Sequence, residues 1–221
     1  MLASGTIAGA GSPVSLNLVE EINHRVVNEY SEAIAMLSIA AARTSSGDAR
    51  EALRDTADRL RDHAETHRAL MPPMVADHAN LADYIATICR TYVKATLADR
   101  GVHLTLKIED IMMSAGTCWR IGLVVAELVR NSARHGLKGK AGRIIVDIAR
   151  REGLLTCLVS DDGAAAGGGI PGRGQRLVRS LVAELGGEMD WFFKPEGALA
   201  FFRLPSGDSG PDVRRRAPSG R

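Results

Sequence analysis

The most constraining feature of this chain is a row of apolar residues near its start. Val19, Ile22, Val26, Ala33, Met36 and Ala40 follow alternating steps of three and four, interrupted only by Glu29. That pattern is a heptad seam, and it predicts one long helix from about Leu16 to Arg43. Ser45, Ser46, Gly47 and Asp48 break it, with Asp48 placed to cap the next helix. A second helix is expected from about Ala49 to Leu70, ended by Pro72 and Pro73. Two long helices joined by a short turn make an antiparallel hairpin. Such a hairpin has an apolar face and nothing of its own to bury it against. Two copies would bury their seams in a four-helix bundle, so a homodimer is expected. The alternative is that the seam packs against the rest of the same chain.

Beyond the prolines the periodicity changes. Leu81 to Leu97 reads as a helix, and Val102 to Ile108 alternates as a strand with Val102, Leu104, Leu106 and Ile108 on one face. Trp119 to His135 is a strongly apolar helix that stops near Gly136. Arg143 to Ile148 and Leu154 to Val159 read as paired strands around Glu152–Gly153. A Gly-rich loop spans Gly163 to Gly174, a helix runs from Gln175 to Leu185, and Met189 to Phe193 and Ala198 to Leu204 are two last strands. The fold class is therefore α+β: a helical-hairpin dimerisation module, then one mixed sheet with helices on one face. The expected boundaries are a disordered lead at 1–14, the hairpin at 15–73, the α/β module at 77–205 and a disordered polar tail at 206–221.

Composition narrows the function classes. The formal net charge of +2 is close to balance, and part of the basic excess sits in the tail at Arg214, Arg215 and Arg216. This gives no reason to expect nucleic acid as a partner. No apolar run is long enough to span a bilayer. The three cysteines, Cys89, Cys118 and Cys157, each lie among apolar neighbours and lack metal or redox spacing, so buried reduced thiols and a cytoplasmic location are expected.

Four constellations carry chemistry. In Glu21–Asn28, His24 lies two residues from both Ile22 and Val26, about 200° around the helix and so away from the seam. An exposed imidazole is available as a nucleophile, and Glu20, Glu21 and Asn28 share its face. In Glu127–His135, the residues Glu127, Asn131, Arg134 and His135 form one polar stripe on an apolar helix. Hydrogen bonds to neighbouring strands are the plain reading of such a stripe. A nucleotide phosphate with its metal is the functional one: the Asn131 amide suits Mg²⁺, Arg134 and His135 suit phosphate oxygens, and Glu127 suits a base for metal-bound water. In Val159–Gly163, a carboxylate at a strand end can accept from an adenine amino group, although the same sequence is a common turn. In Gly172–Val178, a Gly-x-Gly opens a helix and lets backbone N–H groups approach phosphate.

Taken in order, these segments resemble the histidine kinases of two-component systems, in the HisKA_2/HWE group. His24-Arg25-Val26-Val27-Asn28 is similar to the H-box, Glu127–His135 to the N-box with Arg134 where Lys is usual, Val159–Gly163 to the G1 box, and Gly172–Gly187 to the G2 region. The W-x-E motif of strict HWE kinases is not evident, which favours the HisKA_2 branch. The resemblance implies a phosphoacceptor hairpin followed by a GHKL, or Bergerat-type, ATP-binding α/β sandwich. It implies His24 as phosphoacceptor, Asn131 holding Mg²⁺ through ATP, Asp161 reading adenine, and Gly163, Gly172 and Gly174 shaping the pocket and a short lid. The implied partner is the receiver domain of a response regulator. Several positions depart from the family pattern: Val27, Glu29, Ala165, and Ala198 and Ala200 where a Thr after Gly197 is typical. They support an alternative, a degenerate histidine phosphotransferase or scaffold of the same fold. A GHKL serine kinase and a purely structural dimer are more distant rivals.

Overall fold

The computed structural model describes residues 16–73, 77–164 and 172–205. The expected lead and tail, the centre of the expected boundary at 74–76 and most of the Gly-rich loop, Ala165 included, lie outside the described residues. The hairpin is formed by α1 (Leu16–Arg43) and α2 (Gly47–Ala69). Ser46, not Asp48, caps α2, its hydroxyl accepting from the Ala49 N–H at 3.3 Å. Asp48 lies in the first turn instead, where its charge complements the helix dipole.

Helix α1 carries two apolar stripes. Val27 and Ala41 are buried, with Tyr30, Ile34 and Leu37 half-buried between them, and this stripe closes the hairpin against Ala57 and Ala64 of α2. The expected heptad seam is the other stripe. Ile22 is 51% exposed and Met36 63%, with Ile39 exposed beside them. Val26 and Ala33 of the seam are half-buried, so the rest of its own chain covers the seam only in part. His24 is exposed, as its place off the seam predicts.

The second module is built on a five-stranded sheet in the order β2-β4-β5-β7-β6: β2 (Val102–Ile108), β4 (Gly142–Arg151), β5 (Leu154–Asp161), β6 (Glu188–Lys194) and β7 (Gly197–Pro205). Only β2 and β4 run parallel, and the other pairs are antiparallel. Helices α3 (Leu81–Tyr92), α4 (Ala115–Asn131) and α5 (Arg173–Glu184) cover one face. Alternation fixes which residues meet them: Ile144, Val146 and Ile148 of β4, Leu155, Cys157 and Val159 of β5, and Ala200, Phe202 and Leu204 of β7 are all buried. Two further strands, β1 (His78–Asn80) and β3 (Met112–Ser114), pair antiparallel and lead into α3 and α4. Asn80 caps α3 and Ser114 caps α4, so α4 begins a full turn before Trp119. Gly122 lets α3 and α4 close up, since a Cβ there would lie 2.9 Å from the Ile88 side chain and still nearer the Tyr84 ring.

The three cysteines are free and buried, and burial alone pushes the Cys89 and Cys118 thiols up to about 12. Among the described residues, no helix is long and apolar enough to cross a membrane.

The hairpin is tied to the second module at the end of α2. Trp119 Nε1 donates to the Leu70 carbonyl at 3.0 Å and the Tyr84 hydroxyl to the Met71 carbonyl at 2.9 Å. Lys94, in the π turn that follows α3, pairs with Asp62 at 2.7 Å and Glu65 at 3.5 Å. The rings of Tyr30 of α1 and His67 of α2 pack at a tilt of 36°, their centroids 5.4 Å apart. Because the hairpin is antiparallel, the N-terminal third of α1 lies at the end nearest the sheet module. His24, six residues before Tyr30, is about 9 Å further along the axis.

Candidate functional site

A cavity of about 860 Å³ opens between the end of α4, the start of α5 and the strands β5, β7 and β6. It gathers Glu127, Asn131, Arg134, His135, Asp161, Gly172 and Gly174, residues that the sequence spreads over some fifty positions, into one lining. Glu127 is buried, Asn131 half-buried, and Arg134 and His135 exposed. The last two sit in a π turn, Ser132–Gly136, where the Leu137 N–H reaches back to the Ser132 carbonyl at 2.9 Å.

Asp161 ends β5 and its neighbour Asp162 points the opposite way, as successive strand residues must. Asp162 is exposed and held to the β4 edge, accepting from the Arg143 N–H at 2.7 Å and from Arg143 Nε at 3.0 Å. That backbone hydrogen bond, with the guanidinium, holds its carboxyl below the usual carboxylate range. Asp161 is buried. Its Oδ1 accepts from the N–H groups of Gly163 at 3.1 Å and Ala198 at 3.4 Å, while its Oδ2 is buried and has no hydrogen-bond partner among the described residues. Leaving a buried acceptor unsatisfied costs about 1–3 kcal/mol, more for a charge. Asp161 is also among the residues that line the cavity.

Room for this carboxylate comes from glycines. A Cβ at Gly136 would lie 2.5 Å from the Asp161 Cγ and 2.6 Å from Oδ2, and one at Gly197, where φ is +150°, would strike the Asp161 backbone carbonyl. Gly163 does not line the cavity. It stands behind Asp161, its backbone against Gly136. His24 is on the hairpin, outside the lining.

Helix α5 opens at Gly172 with no side-chain cap, and Gly172, Arg173, Gly174 and Gln175 all line the cavity. Its first N–H groups and its dipole suit an anion there. A Cβ at Gly174 would collide with Glu127 Oε1, so only glycine lets α5 start this close to α4. Among the other lining residues, the sequence singles out Ala198 and Ala200 but not Arg130, Arg179, Trp191 or Phe193. Ala198 and Ala200 form a small-residue floor, Trp191 and Phe193 wall it from β6, and Arg179 lies over the Trp191 ring at 4.6 Å. Arg130 donates to Glu127 and also lines the cavity. Nothing in the spacing of the arginines and aromatics marks them, because they become neighbours only through the sheet order.

The arrangement fits a nucleotide: an unsatisfied acceptor for an amino group at one end, and an uncapped helix start with Arg134 and His135 for phosphates. Among the described residues no group of three or more His, Cys, Asp or Glu could hold a metal. A divalent ion beside the Asn131 amide oxygen would take its other ligands from phosphate and water, as Mg²⁺ does.

Comparison with known proteins bears on the family and the fold. Residues 21–96 match the HisKA_2 family model, described as histidine kinase. The sensor histidine kinase PdtaS of Mycolicibacterium smegmatis is 30% identical over 211 residues, covering 92% of this chain. The kinship is with the HisKA_2 histidine kinases. This chain spans only 40% of the length of that PdtaS relative. In fold, the histidine kinase domain of the Erythrobacter litoralis EL346 blue-light activated histidine kinase superposes with a TM-score of 0.54 at 21% identity, covering 80% of this chain and 95% of that one. Full-length ShkA, solved in complex with AMPPNP, gives 0.51 at 16% identity over 87% of this chain and 46% of its own. The helical hairpin followed by a mixed sheet is thus the architecture of histidine kinase cores.

The close approach at Gly163 yields a test. A Cβ there would lie 2.7 Å from the Leu137 nitrogen and closer still to the Gly136 carbonyl. These neighbours are backbone and cannot rotate away. Gly163→Ala is expected to lower stability in urea unfolding by about 1–3 kcal/mol; an unchanged midpoint would contradict the packing described.

Proposed function

We propose that this chain is an ATP-dependent protein histidine kinase that phosphorylates His24 and passes the phosphoryl group to an aspartate on a response-regulator receiver domain. The observation that carries the reading is the unsatisfied Asp161 Oδ2 beside a cavity whose other end is built for anions. The exocyclic amino group of adenine supplies the missing donor. Ala198 and Ala200 leave the floor low enough for a flat base. Arg134, His135 and the start of α5 then face the phosphates. Asn131 would hold a Mg²⁺ ion, which when bound neutralises phosphate charge. A nitrogen of His24 attacks the γ-phosphorus in line, the N–P bond forms, and the P–O bond to ADP breaks. Positioning and charge supply most of the rate enhancement, so the sheet module must reach His24, and the end of α2 is the pivot available to it. Glu127, buried in the lining, would serve as a base for metal-bound water.

The family and the uncovered stripe of Ile22, Met36 and Ile39 support a homodimer in which two hairpins form a four-helix bundle. Replacing both Ile22 and Met36 with Glu is expected to halve the mass in analytical ultracentrifugation while far-UV circular dichroism stays helical. A wild-type chain that sediments as a monomer would refute the dimer.

For the activity, incubation with γ-labelled ATP and Mg²⁺ should label the chain with acid-labile, base-stable phosphate. His24→Ala should lose that label and keep ATP binding. Equal labelling of the variant would remove His24 from its role. Tight ATP binding that is lost in Asn131→Ala would exclude the scaffold alternative, and acid-stable label would point to a serine kinase.

A further inference from the structure

The ion pair between Glu127 and Arg130 joins two unequal halves. The Glu127 side chain is 9% exposed and the Arg130 side chain 59%. One carboxylate oxygen, Oε1, sits against the backbone at Gly174, where a Cβ would collide with it. The other, Oε2, accepts from Arg130. The carboxylate is thus wedged between two helices and has nowhere to go. The guanidinium, on a long flexible stem at the rim, is the half that can leave.

Arg130 also has somewhere to go. It lines the same cavity as Asn131 and Arg134, one residue and one turn away on the same helix end. On its other side it borders the hairpin: after burial and His63, the Arg130 charge is among the causes that hold His67 of α2 below the usual histidine range. One guanidinium therefore stands between the cavity and the module that carries His24.

Resting on the nucleotide reading above, we propose that Arg130 is a positioning residue that changes partners when ATP binds, leaving Glu127 for the terminal phosphate. A terminal phosphate carries more charge than a carboxylate and accepts from a guanidinium through two oxygens, so it competes well for that partner. Glu127 is not left destitute, because its Oε1 faces the opening turn of α5, where the helix dipole favours negative charge. With the cation gone, the Glu127 carboxylate is released from its ion pair only when ATP is in place. ADP lacks the terminal phosphate, so Arg130 returns to Glu127 after transfer. The pair reads whether the nucleotide is still charged.

The test is the ratio of ADP to ATP dissociation constants, measured by titration calorimetry on the full chain with Mg²⁺. Wild type should prefer ATP. Arg130→Gln should weaken ATP about tenfold and leave ADP nearly unchanged. Glu127→Gln, which removes the competitor, should strengthen ATP relative to ADP. The double variant Glu127→Gln/Arg130→Gln strands no buried charge and should show the same lost preference as Arg130→Gln. A merely structural arginine would move both nucleotides together. An unmoved ratio in Arg130→Gln and in the double variant overturns the exchange while nucleotide binding stands. If wild type binds neither nucleotide, the reading beneath it falls as well.

Discussion

A carboxylate can be buried at the end of β5 only if something makes room for it and something else makes use of it. Gly136 and Gly197 make the room, by letting two backbone segments close on Asp161 without a side chain between them, and Gly163 lets the turn after Asp161 close on Gly136. Two backbone N–H groups then satisfy Oδ1 and leave Oδ2 without a partner among the described residues. The cost of that arrangement is a fixed charge on the folded state, of the kind that persists where a ligand repays it. The π turn at the end of α4, the low floor of β7 and the uncapped start of α5 all sit around this one group. A residue bulkier than Gly136 at the end of that π turn would press directly on the Asp161 carboxylate.

The hairpin obeys a different constraint. Its helix α1 has to serve two surfaces, one against α2 and one left open, and this divides its apolar residues into two stripes. Histidine is kept off both. The hairpin then reaches the sheet module through a small set of directional bonds, from Trp119 and Tyr84 to the last carbonyls of α2 and from Lys94 to its acidic face. The ion pair of the exposed Lys94 adds little to that joint, and α2 also packs against α3.

The sequence is most legible where a period is long. The heptad of α1, the alternation of β2 and the Asn131 stripe survive into the structure because each repeats enough times to define a face. The second stripe of α1 is harder to see, since Tyr30, Ile34 and Leu37 interleave with the seam and only α2 tells them apart. Three-residue strands such as β1 and β3 have no period at all. The start of α4 is masked by Gly116 and Thr117, poor helix formers that the Ser114 cap overrides. In the site, the motif resemblance picks Asp161 over Asp162, and strand parity gives the physical reason. Gly163 is drawn to the pocket by its motif and placed behind it by packing. Arg130 looks like any solvent cation between Glu127 and Asn131 until α5 brings Gly174 against the carboxylate.

The account turns on Asp161 Oδ2 as an acceptor waiting for a donor, and the most direct measurement compares two nucleotides that differ there. ATP carries an amino group at the six position of its base and ITP a carbonyl. Facing a buried carboxylate, a carbonyl leaves two acceptors opposed, so ITP should bind at least about tenfold more weakly than ATP, and Asp161→Asn should erase most of that difference. Equal affinities for ATP and ITP in the wild-type chain would contradict the account.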